Sequence, residues 1–297
     1  MAGLLAQRLA SETRGEVLFS PGDRGRYATD ASIYQVMPIG VFVPSCAEDA
    51  RLALDICRDL NVPIVPRGGG TSQCGQTVGA GLVIDFSKHV RGLLEFDAAD
   101  ATATVEPGIV LDHLNAQLKK SGLWYPVDVS TGAQATLGGM EGNNSFGSRS
   151  IAYGNMVHNV LAADAWTSDG TLHRFERFER CTGTARALGE RVQALAQALA
   201  PEIDTRWPKV MRRVGGYNLD IFRNQSERPY TTDGGVNLAH LLVGSEGTLA
   251  LTRSLRLQLA PLPAGKVLGV VNFPTFYKAM DSAQHIARLG DAGGALT

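Results

Sequence analysis

Apolar residues along this chain follow two periods, and the first clear case lies between residues 41 and 65. An apolar run at 41–44 precedes a segment with helical spacing, and a second apolar run follows at 62–65; the residues at helical spacing are Leu52, Ile56 and Leu60. Ser45, with Glu48 three residues later, predicts a capping box at the start of that helix. The order strand, helix, strand predicts a βαβ unit.

The same two periods predict the remaining elements. Further strands are expected at 82–85, 93–96, 101–106, 157–166, 172–175, 251–259 and 267–273. Further helices are expected at 4–10, 110–120, 185–200 and 276–289. The run Ser-Asp-Gly at 168–170 predicts a hairpin turn. The polar stretches at 11–37 and 201–237 predict irregular structure.

Two glycine-dense stretches interrupt this pattern, at 66–72 and 138–147. The first directly follows a predicted strand and contains three consecutive glycines, Gly68 to Gly70. A backbone without Cβ atoms can adopt positive φ and approach a ligand closely, and its successive N–H groups form a concave anion site. The ligand that this predicts is a diphosphate. A pair of tight structural turns is the alternative.

Composition narrows the class of protein and partner. The chain has 297 residues, of which 44% are hydrophobic and 19% charged, with a formal net charge of -1, so we expect a globular protein that does not bind nucleic acid. No apolar run reaches the ~20 residues that span a bilayer, and the N-terminus does not resemble an export signal. We therefore expect a cytoplasmic protein without a transmembrane segment, and contact with the inner face of the membrane is left open. The cysteines and histidines show no metal-ligand spacing, so no metal is expected.

Neither common nucleotide-binding fingerprint occurs, because no strand leads into G-x-G-x-x-G and no G-x-x-x-x-G-K-[ST] is present. Four other segments remain, and their order and spacing carry a resemblance: 66–72, Pro126 with Asp128, 137–147 and 243–249. Together they resemble the FAD-binding domain of the vanillyl-alcohol-oxidase (PCMH-type) flavoproteins, in the D-lactate and glycolate dehydrogenase branch. Residues 142–145 and 216–219 are similar to members whose flavin domain is fused to an iron–sulfur domain. The resemblance covers roughly residues 38–290.

This resemblance implies an α+β fold in which two α/β subdomains clasp FAD. The FAD-binding domain would span 38–264, with subdomains at about 38–100 and 101–264. Residues 1–37 would form an N-terminal extension. Residues 265–297 would begin a ferredoxin-like C-terminal cap that is incomplete, so that the chain would be truncated before the cap and the iron–sulfur domain.

The resemblance also implies, position by position, which residues contact FAD. The first glycine stretch would wrap the pyrophosphate, and the second would run beneath the cofactor and beside its ribityl chain and ring. The residues that it assigns to the cofactor are Pro66, Arg67, Gly68, Gly69, Gly70, Thr71, Ser72, Gln73, Asp128, Leu137, Gly138, Gly139, Gly142, Asn144, Ser145, Gly147, Val160, Glu246, Gly247 and Leu249. For Asp128 a turn-capping role is the alternative, and for Glu246 a buried structural acid.

Some members of this superfamily tether FAD through a histidine in or near the first loop. The stretch 70–74 has no histidine, so we expect FAD to be bound non-covalently. Cys74 is expected to be a small buried apolar residue rather than a tether. Arg149 and Tyr153 follow the second stretch and are candidate substrate residues, although Arg149 pairing with a nearby acid is the alternative; a place near the cofactor is left open for His158.

The activity that the resemblance implies is oxidation of a D-2-hydroxy acid such as D-lactate, glycolate or D-2-hydroxyglutarate by hydride transfer to flavin N5. The electron acceptor would be a quinone, an iron–sulfur domain or a carrier protein. No residue is assigned a catalytic role, because in similar dehydrogenases the cap carries those groups. One alternative is a non-catalytic FAD-binding subunit or fragment of a multi-component flavin and iron–sulfur complex. A second alternative is an oxygen-using flavin oxidase.

Overall fold

The computed structural model describes residues 2–223, 228–265 and 267–288. Its α-helices are α1 Ala2–Glu12, α2 Pro21–Arg26, α3 Ala47–Asp59, α4 Leu111–Leu118, α5 Leu137–Asn143, α6 Ser150–Tyr153, α7 Met156–Asn159, α8 Gly183–Ala198, α9 Ala200–Arg206, α10 Ala239–Leu242 and α11 Phe276–Arg288. Its strands are β1 Glu16–Leu18, β2 Gly40–Val43, β3 Ile64–Arg67, β4 Leu82–Asp85, β5 Leu93–Asp97, β6 Thr102–Val105, β7 Leu123–Trp124, β8 Val160–Trp166, β9 Leu172–Phe175, β10 Leu251–Gln258 and β11 Ala260–Pro261.

The first sheet has the strand order β1-β2-β4-β3. Strands β2 and β3 both pair in parallel with β4, so the predicted βαβ unit is present with β4 inserted between its two strands. The apolar face of α3 packs on this sheet together with α1, whose Leu5 and Leu9 are completely buried. Burial of these leucines and of the β2 and β4 side chains is the main force that holds the layer together.

The second sheet is antiparallel and has the order β5-β6-β10-β8-β9. Its central strand, β10, is the last of the five strands of this sheet in sequence. It pairs with β6 on one side and β8 on the other. The β8–β9 hairpin turns at Gly170, which has the left-handed φ of 81° that its turn requires. The large core packed on this sheet includes α4, α5 and the completely buried Tyr125. Two mixed layers of helix and sheet confirm the predicted α+β class.

Two local predictions near the N-terminus are wrong in detail. Residues 11–37 are not all irregular, because β1 pairs with β2 and α2 follows it. The predicted capping box is not formed, since α3 begins after Cys46, which makes no side-chain capping hydrogen bond. Ser45 instead donates its hydroxyl and its amide to the carboxylate of Asp49, at 2.5 and 3.0 Å. Asp49 is thus the buried acid of this turn, and Glu48 pairs at the surface with Arg51.

Three further predictions differ from the structure. The second glycine stretch begins as helix α5 rather than a loop, because the hydroxyl of Thr136 accepts a hydrogen bond from the amide of Gly139 and caps the helix. Helix α9 lies inside the stretch expected to be irregular. Residues 267–273 form no strand, and the apolar side chains at 267–271 are exposed. The division at 38, 101 and 265 stays a prediction, although α1 and β1 already belong to the first layer.

Within the described residues, no helix combines the length and the apolar character needed to cross a lipid bilayer.

Candidate functional site

A cleft of about 420 Å³ lies where three segments of the chain meet. The segments are the loop after β3 at 66–77, the α5 region at 135–146, and the turn before β10 at 245–252. This volume lies in the range that small-molecule and cofactor sites occupy. The two predicted glycine stretches, far apart in sequence, therefore line one cleft together with the third predicted motif.

The loop after β3 presents its backbone to the cleft. Among the described hydrogen bonds, the amides of Gly68 to Ser72 donate to no protein acceptor. A Cβ atom on Gly68 would overlap the hydroxyl of Thr136, and one on Gly69 would overlap the carbonyl oxygen of Gln134. Gly70 has a φ of 64°, which disfavours any other residue. The loop thus needs glycine to pack against the α5 region, and this packing leaves its amides available to an anion.

Arg67 holds this loop in place. Its guanidinium donates to the backbone carbonyls of Thr29 at 2.8 Å, Tyr27 at 3.3 Å and Thr77 at 3.4 Å. It also lies over the ring of Tyr27, 5.3 Å from the ring centre. Burial lowers the pKa of Arg67, whereas the nearby carboxylates of Asp85 and Asp30 act in the opposite direction. The side chain therefore contributes to the cleft as a structural cation that ties residues 27–29 to the glycine loop.

Helix α5 forms the opposite wall. The amide of Gly138 donates to the carbonyl of Pro107 at 2.8 Å, and a Cβ atom on Gly138 would lie 2.6 Å from the Pro107 side chain. One turn later, Glu141 is 3% exposed and lines the cleft. Its Oε2 accepts a 2.8 Å hydrogen bond from Thr252 on β10. Burial raises the pKa of the Glu141 carboxyl to about 7, and the Thr252 hydrogen bond opposes this rise.

The third wall is the turn that precedes β10. Glu246 has a left-handed φ of 51° and accepts a 3.0 Å hydrogen bond from Asn143. Burial raises the pKa of Glu246, and hydrogen bonds from Asn143 and Gln76 oppose this. Gly247 lies against the first loop, since a Cβ atom there would be 2.8 Å from the ring of Pro66. This contact closes the cleft by bringing the first and third predicted motifs together.

Most predicted cofactor residues line this cleft. Those that do are Pro66, Arg67, Gly68, Gly69, Gly70, Thr71, Ser72, Gln73, Gly138, Gly139, Gly142, Ser145, Glu246 and Gly247. Those that lie outside its lining are Asp128, Leu137, Asn144, Gly147, Val160 and Leu249. The assignment of either group to the cofactor stays a prediction.

Five of the six residues outside the lining have visible structural roles. Asp128 accepts hydrogen bonds from the hydroxyl of Ser148 at 3.1 Å and the amide of Arg149 at 3.3 Å, and a Cβ atom on Gly147 would overlap it. Asn144 is buried and accepts a 3.1 Å hydrogen bond from the amide of Val157. Leu137 and Val160 belong to the large core. These contacts support the alternative role considered for Asp128, that of a turn-stabilising carboxylate.

Neither candidate substrate residue lines the cleft. The guanidinium of Arg149 lies 5.1 Å from the centre of the Trp124 ring, and the ring of Tyr153 meets the same tryptophan edge-on at 5.4 Å. His158 is also outside the lining, where its Nδ1 accepts a 3.0 Å hydrogen bond from the amide of Asn155. Burial, with Arg228 and Arg213 nearby, lowers the pKa of His158 to about 4.

Sequence reasoning missed several lining residues. Cys74 is exposed and lines the cleft, so the expectation that it is buried is wrong. The other missed residues with polar side chains are Gln76, Thr77, Ser130, Thr131, Thr136, Glu141, Asn143, Ser245 and Thr252. Of these, Glu141 is the single charged residue between 129 and 148, which is the one sequence feature that sets it apart.

Comparison with known proteins gives the context of this cleft. Residues 38–176 match the protein family described as the FAD binding domain. The chain is 33% identical over 296 residues to D-2-hydroxyglutarate dehydrogenase of Pantoea ananatis, and the match covers 93% of this chain and 27% of that protein. It is 31% identical over 260 residues to glycolate oxidase subunit GlcD of Bacillus subtilis, with 86% of this chain and 44% of that protein covered. The chain therefore spans about a quarter to under half of the length of these relatives.

A solved structure with the same fold is that of an alkyldihydroxyacetonephosphate synthase. It superimposes with a TM-score of 0.66 at 18% sequence identity, over 96% of this chain and 46% of the synthase. At this identity the likeness shows the fold alone. Three features of this chain fit a diphosphate-containing cofactor: the unpartnered amides, the glycines at which a Cβ atom would overlap neighbouring residues, and the cleft volume.

Proposed function

We propose that this chain, of which residues 38–176 match the FAD binding domain family, holds FAD in the cleft and serves the oxidation of a D-2-hydroxy acid. The single observation that carries the cofactor's placement is the row of unpartnered amides at Gly68 to Ser72, in the loop that lines the cleft. The relatives named D-2-hydroxyglutarate dehydrogenase and glycolate oxidase subunit support the substrate class. D-lactate is a third substrate of the same chemistry.

In this proposal the amides of Gly68 to Ser72 bind the diphosphate, and Arg67 keeps their loop in shape. Backbone N–H groups suit this task because they are fixed in direction by the fold and need no reorganisation when the anion arrives. Gly138, Gly139 and Gly142 leave room for the cofactor along α5. Bound FAD supplies the acceptor for the hydride from the α-carbon of the hydroxy acid.

The same proposal includes non-covalent binding of FAD and the identity of the electron acceptor. We expect FAD to be released by denaturation, because no histidine lies at 70–74. For the acceptor we propose a quinone, an iron–sulfur domain or a carrier protein. A quinone would place the protein at the inner face of the membrane, and a carrier protein would leave it in the cytoplasm.

A second candidate function is that of an FAD-binding portion which turns over only within a larger assembly. The observation that favours it is the exposed apolar surface after β11, where Val267 is 99%, Leu268 86% and Phe276 81% exposed. One relative is itself named a subunit. An oxygen-using flavin oxidase is a further alternative.

A two-stage experiment tests these proposals. The purified chain is first titrated with FAD, and binding is followed by the change in flavin fluorescence. The FAD complex is then mixed without oxygen with D-2-hydroxyglutarate, D-lactate or glycolate, and loss of the oxidised flavin's visible absorbance is followed, with the L enantiomers of the two chiral acids as controls. Reduction by D but not L acids supports the dehydrogenase; binding without reduction supports the FAD-binding portion; and peroxide release in air supports the oxidase.

A matched pair of glycine variants tests the position of FAD. A Cβ atom at Gly142 would lie 3.5 Å from its nearest neighbour, and Gly142 lines the cleft. Gly142→Leu should weaken FAD binding at least about tenfold by occupying the cleft, and circular dichroism establishes that the variant is folded. Gly25→Leu is the control, because Gly25 lies in α2 with open space around its Cβ position. Equal FAD affinity in both variants would place the cofactor elsewhere.

A further inference from the structure

Glu141 is a buried acid in the wall of the cleft, and one of its two carboxyl oxygens has no hydrogen-bond partner among the described residues. It is 3% exposed, and its Oε2 accepts the hydrogen bond from Thr252. Its Oε1 is buried and has no hydrogen-bond partner among the described residues. A buried polar atom without a partner is costly, so native proteins rarely keep one that has no role.

The surroundings of Glu141 favour a neutral carboxyl. The ionisable groups on the walls of the same cleft are Arg67, Cys74 and Glu246, and Tyr125 lies behind α5. The one cation among them is Arg67, whose guanidinium donates hydrogen bonds to the backbone carbonyls of residues 27, 29 and 77. The phenol of Tyr125 donates to the sulfur of Met156 at 2.9 Å. No cation in the described part of the chain pairs with Glu141, and a diphosphate nearby would disfavour its charged form further.

When the Glu141 carboxyl is neutral, one of its two oxygens carries the proton and becomes a hydrogen-bond donor. Oε2 already accepts the Thr252 hydrogen, so the proton of the neutral acid is best placed on Oε1, the oxygen without a partner. A neutral Glu141 then carries one O–H donor in the wall of the cleft, and that donor requires an acceptor. FAD carries acceptors along its whole length, in the phosphate, ribityl and flavin oxygens and in the ring nitrogens.

We propose that Glu141 acts as a neutral carboxylic acid whose Oε1 donates a hydrogen bond to bound FAD, so that FAD binding takes up a proton once Glu141 has ionised in the free protein. This inference rests on FAD occupying the cleft and is independent of which substrate is oxidised. Glu141 is a cofactor-positioning residue in this role. Glutamine can reproduce its hydrogen bonds, since its NH₂ group donates to FAD and its oxygen accepts from Thr252.

The test is the pH dependence of FAD affinity. It is measured by flavin fluorescence at about pH 6 and about pH 8.5, on either side of the Glu141 pKa of about 7. The variants are Glu141→Gln and Glu141→Leu. The wild type should lose at least about tenfold in affinity as the pH rises. Glu141→Gln should bind within about threefold of the wild type at pH 6 and keep that affinity at pH 8.5. Glu141→Leu should bind about fivefold more weakly at pH 6, the effect of one missing hydrogen bond.

Circular dichroism at both pH values establishes that each variant is folded. If Glu141→Gln shows the wild-type loss of affinity with pH, or if Glu141→Leu binds as tightly as the wild type at pH 6, the inference is overturned. The outcome is separate from that of the proposed oxidation, because failure of D-2-hydroxy acids to reduce bound flavin would leave these affinities unchanged.

Discussion

The guanidinium of Arg67 donates a 2.8 Å hydrogen bond to the carbonyl oxygen of Thr29, and this contact joins the first glycine loop to a segment that precedes β2. Tyr27, two residues earlier, donates its phenol to Asp85 at the end of β4 at 2.7 Å. Residues 27–29 are thereby attached both to the sheet and to the loop. The cleft wall depends on a part of the chain that the sequence pattern did not connect with it.

Replacing Arg67 should therefore weaken the fold as well as the site. Arg67→Ala leaves the carbonyls of residues 27, 29 and 77 without their donor, and we expect the free energy of unfolding to fall by about 1–3 kcal/mol. Urea denaturation measures this loss. Arg91→Ala, at an exposed arginine of the same layer, should change stability by less than about 0.5 kcal/mol. An Arg67→Ala variant that is fully stable but unable to bind FAD would show instead that Arg67 acts by direct contact with the cofactor.

The glycines of the cleft should differ sharply in their tolerance of alanine. Gly69→Ala places a Cβ atom against the Gln134 carbonyl, which belongs to the backbone and has little room to move, so we expect a loss of about 1–3 kcal/mol in the free energy of unfolding. Gly142→Ala meets only ordinary contacts within a helix and should be neutral or stabilising by up to about 1 kcal/mol. Thermal unfolding followed by circular dichroism compares the two. Equal melting temperatures would contradict the packing of the loop against residues 134–136.

Bound FAD should shield Cys74 from alkylation. Cys74 and Cys46 are both exposed, but only Cys74 lines the cleft, whereas Cys57 and Cys181 are buried. Saturating FAD should slow the reaction of Cys74 with iodoacetamide at least about fivefold, because a thiol must be accessible to react. Cys46 provides an internal control and should react at the same rate with and without FAD. Mass spectrometry of proteolytic peptides measures each rate, and equal protection of both cysteines would indicate a general stabilisation rather than occupancy of the cleft.

Glu141 should make the FAD-free protein less stable as the pH rises from about 4.5 to about 7. Its folded-state pKa of about 7 lies above the ordinary value of 4.5, so the folded chain binds more protons in this window and loses stability as they dissociate. Relative to Glu141→Gln, the wild type should lose up to about 3 kcal/mol across the window and nothing further above it. Urea denaturation at a series of pH values gives both curves. Parallel curves would mean that Glu141 is ionised in the folded protein.

The elements that the sequence predicted well are those with a strong period of their own. The strand at 82–85 and the hairpin at Gly170 have the predicted bounds, and the helix at 110–120 is present as α4 followed by a turn of 3₁₀-helix. The predicted strand at 267–273 is wrong, because an apolar run becomes a strand only where a neighbouring strand completes its hydrogen bonds. Helix α5 was missed because glycine has low helix propensity, which the Thr136 cap and packing on Pro107 override.

The sequence predicted the glycine segments that form the backbone walls of the site, but it did not predict the polar side chains that line it. The glycines at 68–70 and 138–139 can be recognised from the sequence alone, since few roles other than a tight turn or a close approach to a ligand require glycine in such density. Glu141 gave no comparable signal, because its meaning depends on burial and on Thr252, which lies 111 residues later in the chain. The role expected for Arg67 at the pyrophosphate, likewise, did not anticipate its bonds to residues 27 and 29.

The position of β10 has a consequence for biosynthesis. Residues 251–258 fill the gap between β6 and β8, so neither strand has its inner neighbour until the ribosome has passed residue 258. The nascent chain must then carry two open strand edges while β6 and β8 are already outside the exit tunnel. We expect maturation to wait for this late insertion, and chains released before it to be substrates for chaperones and proteases.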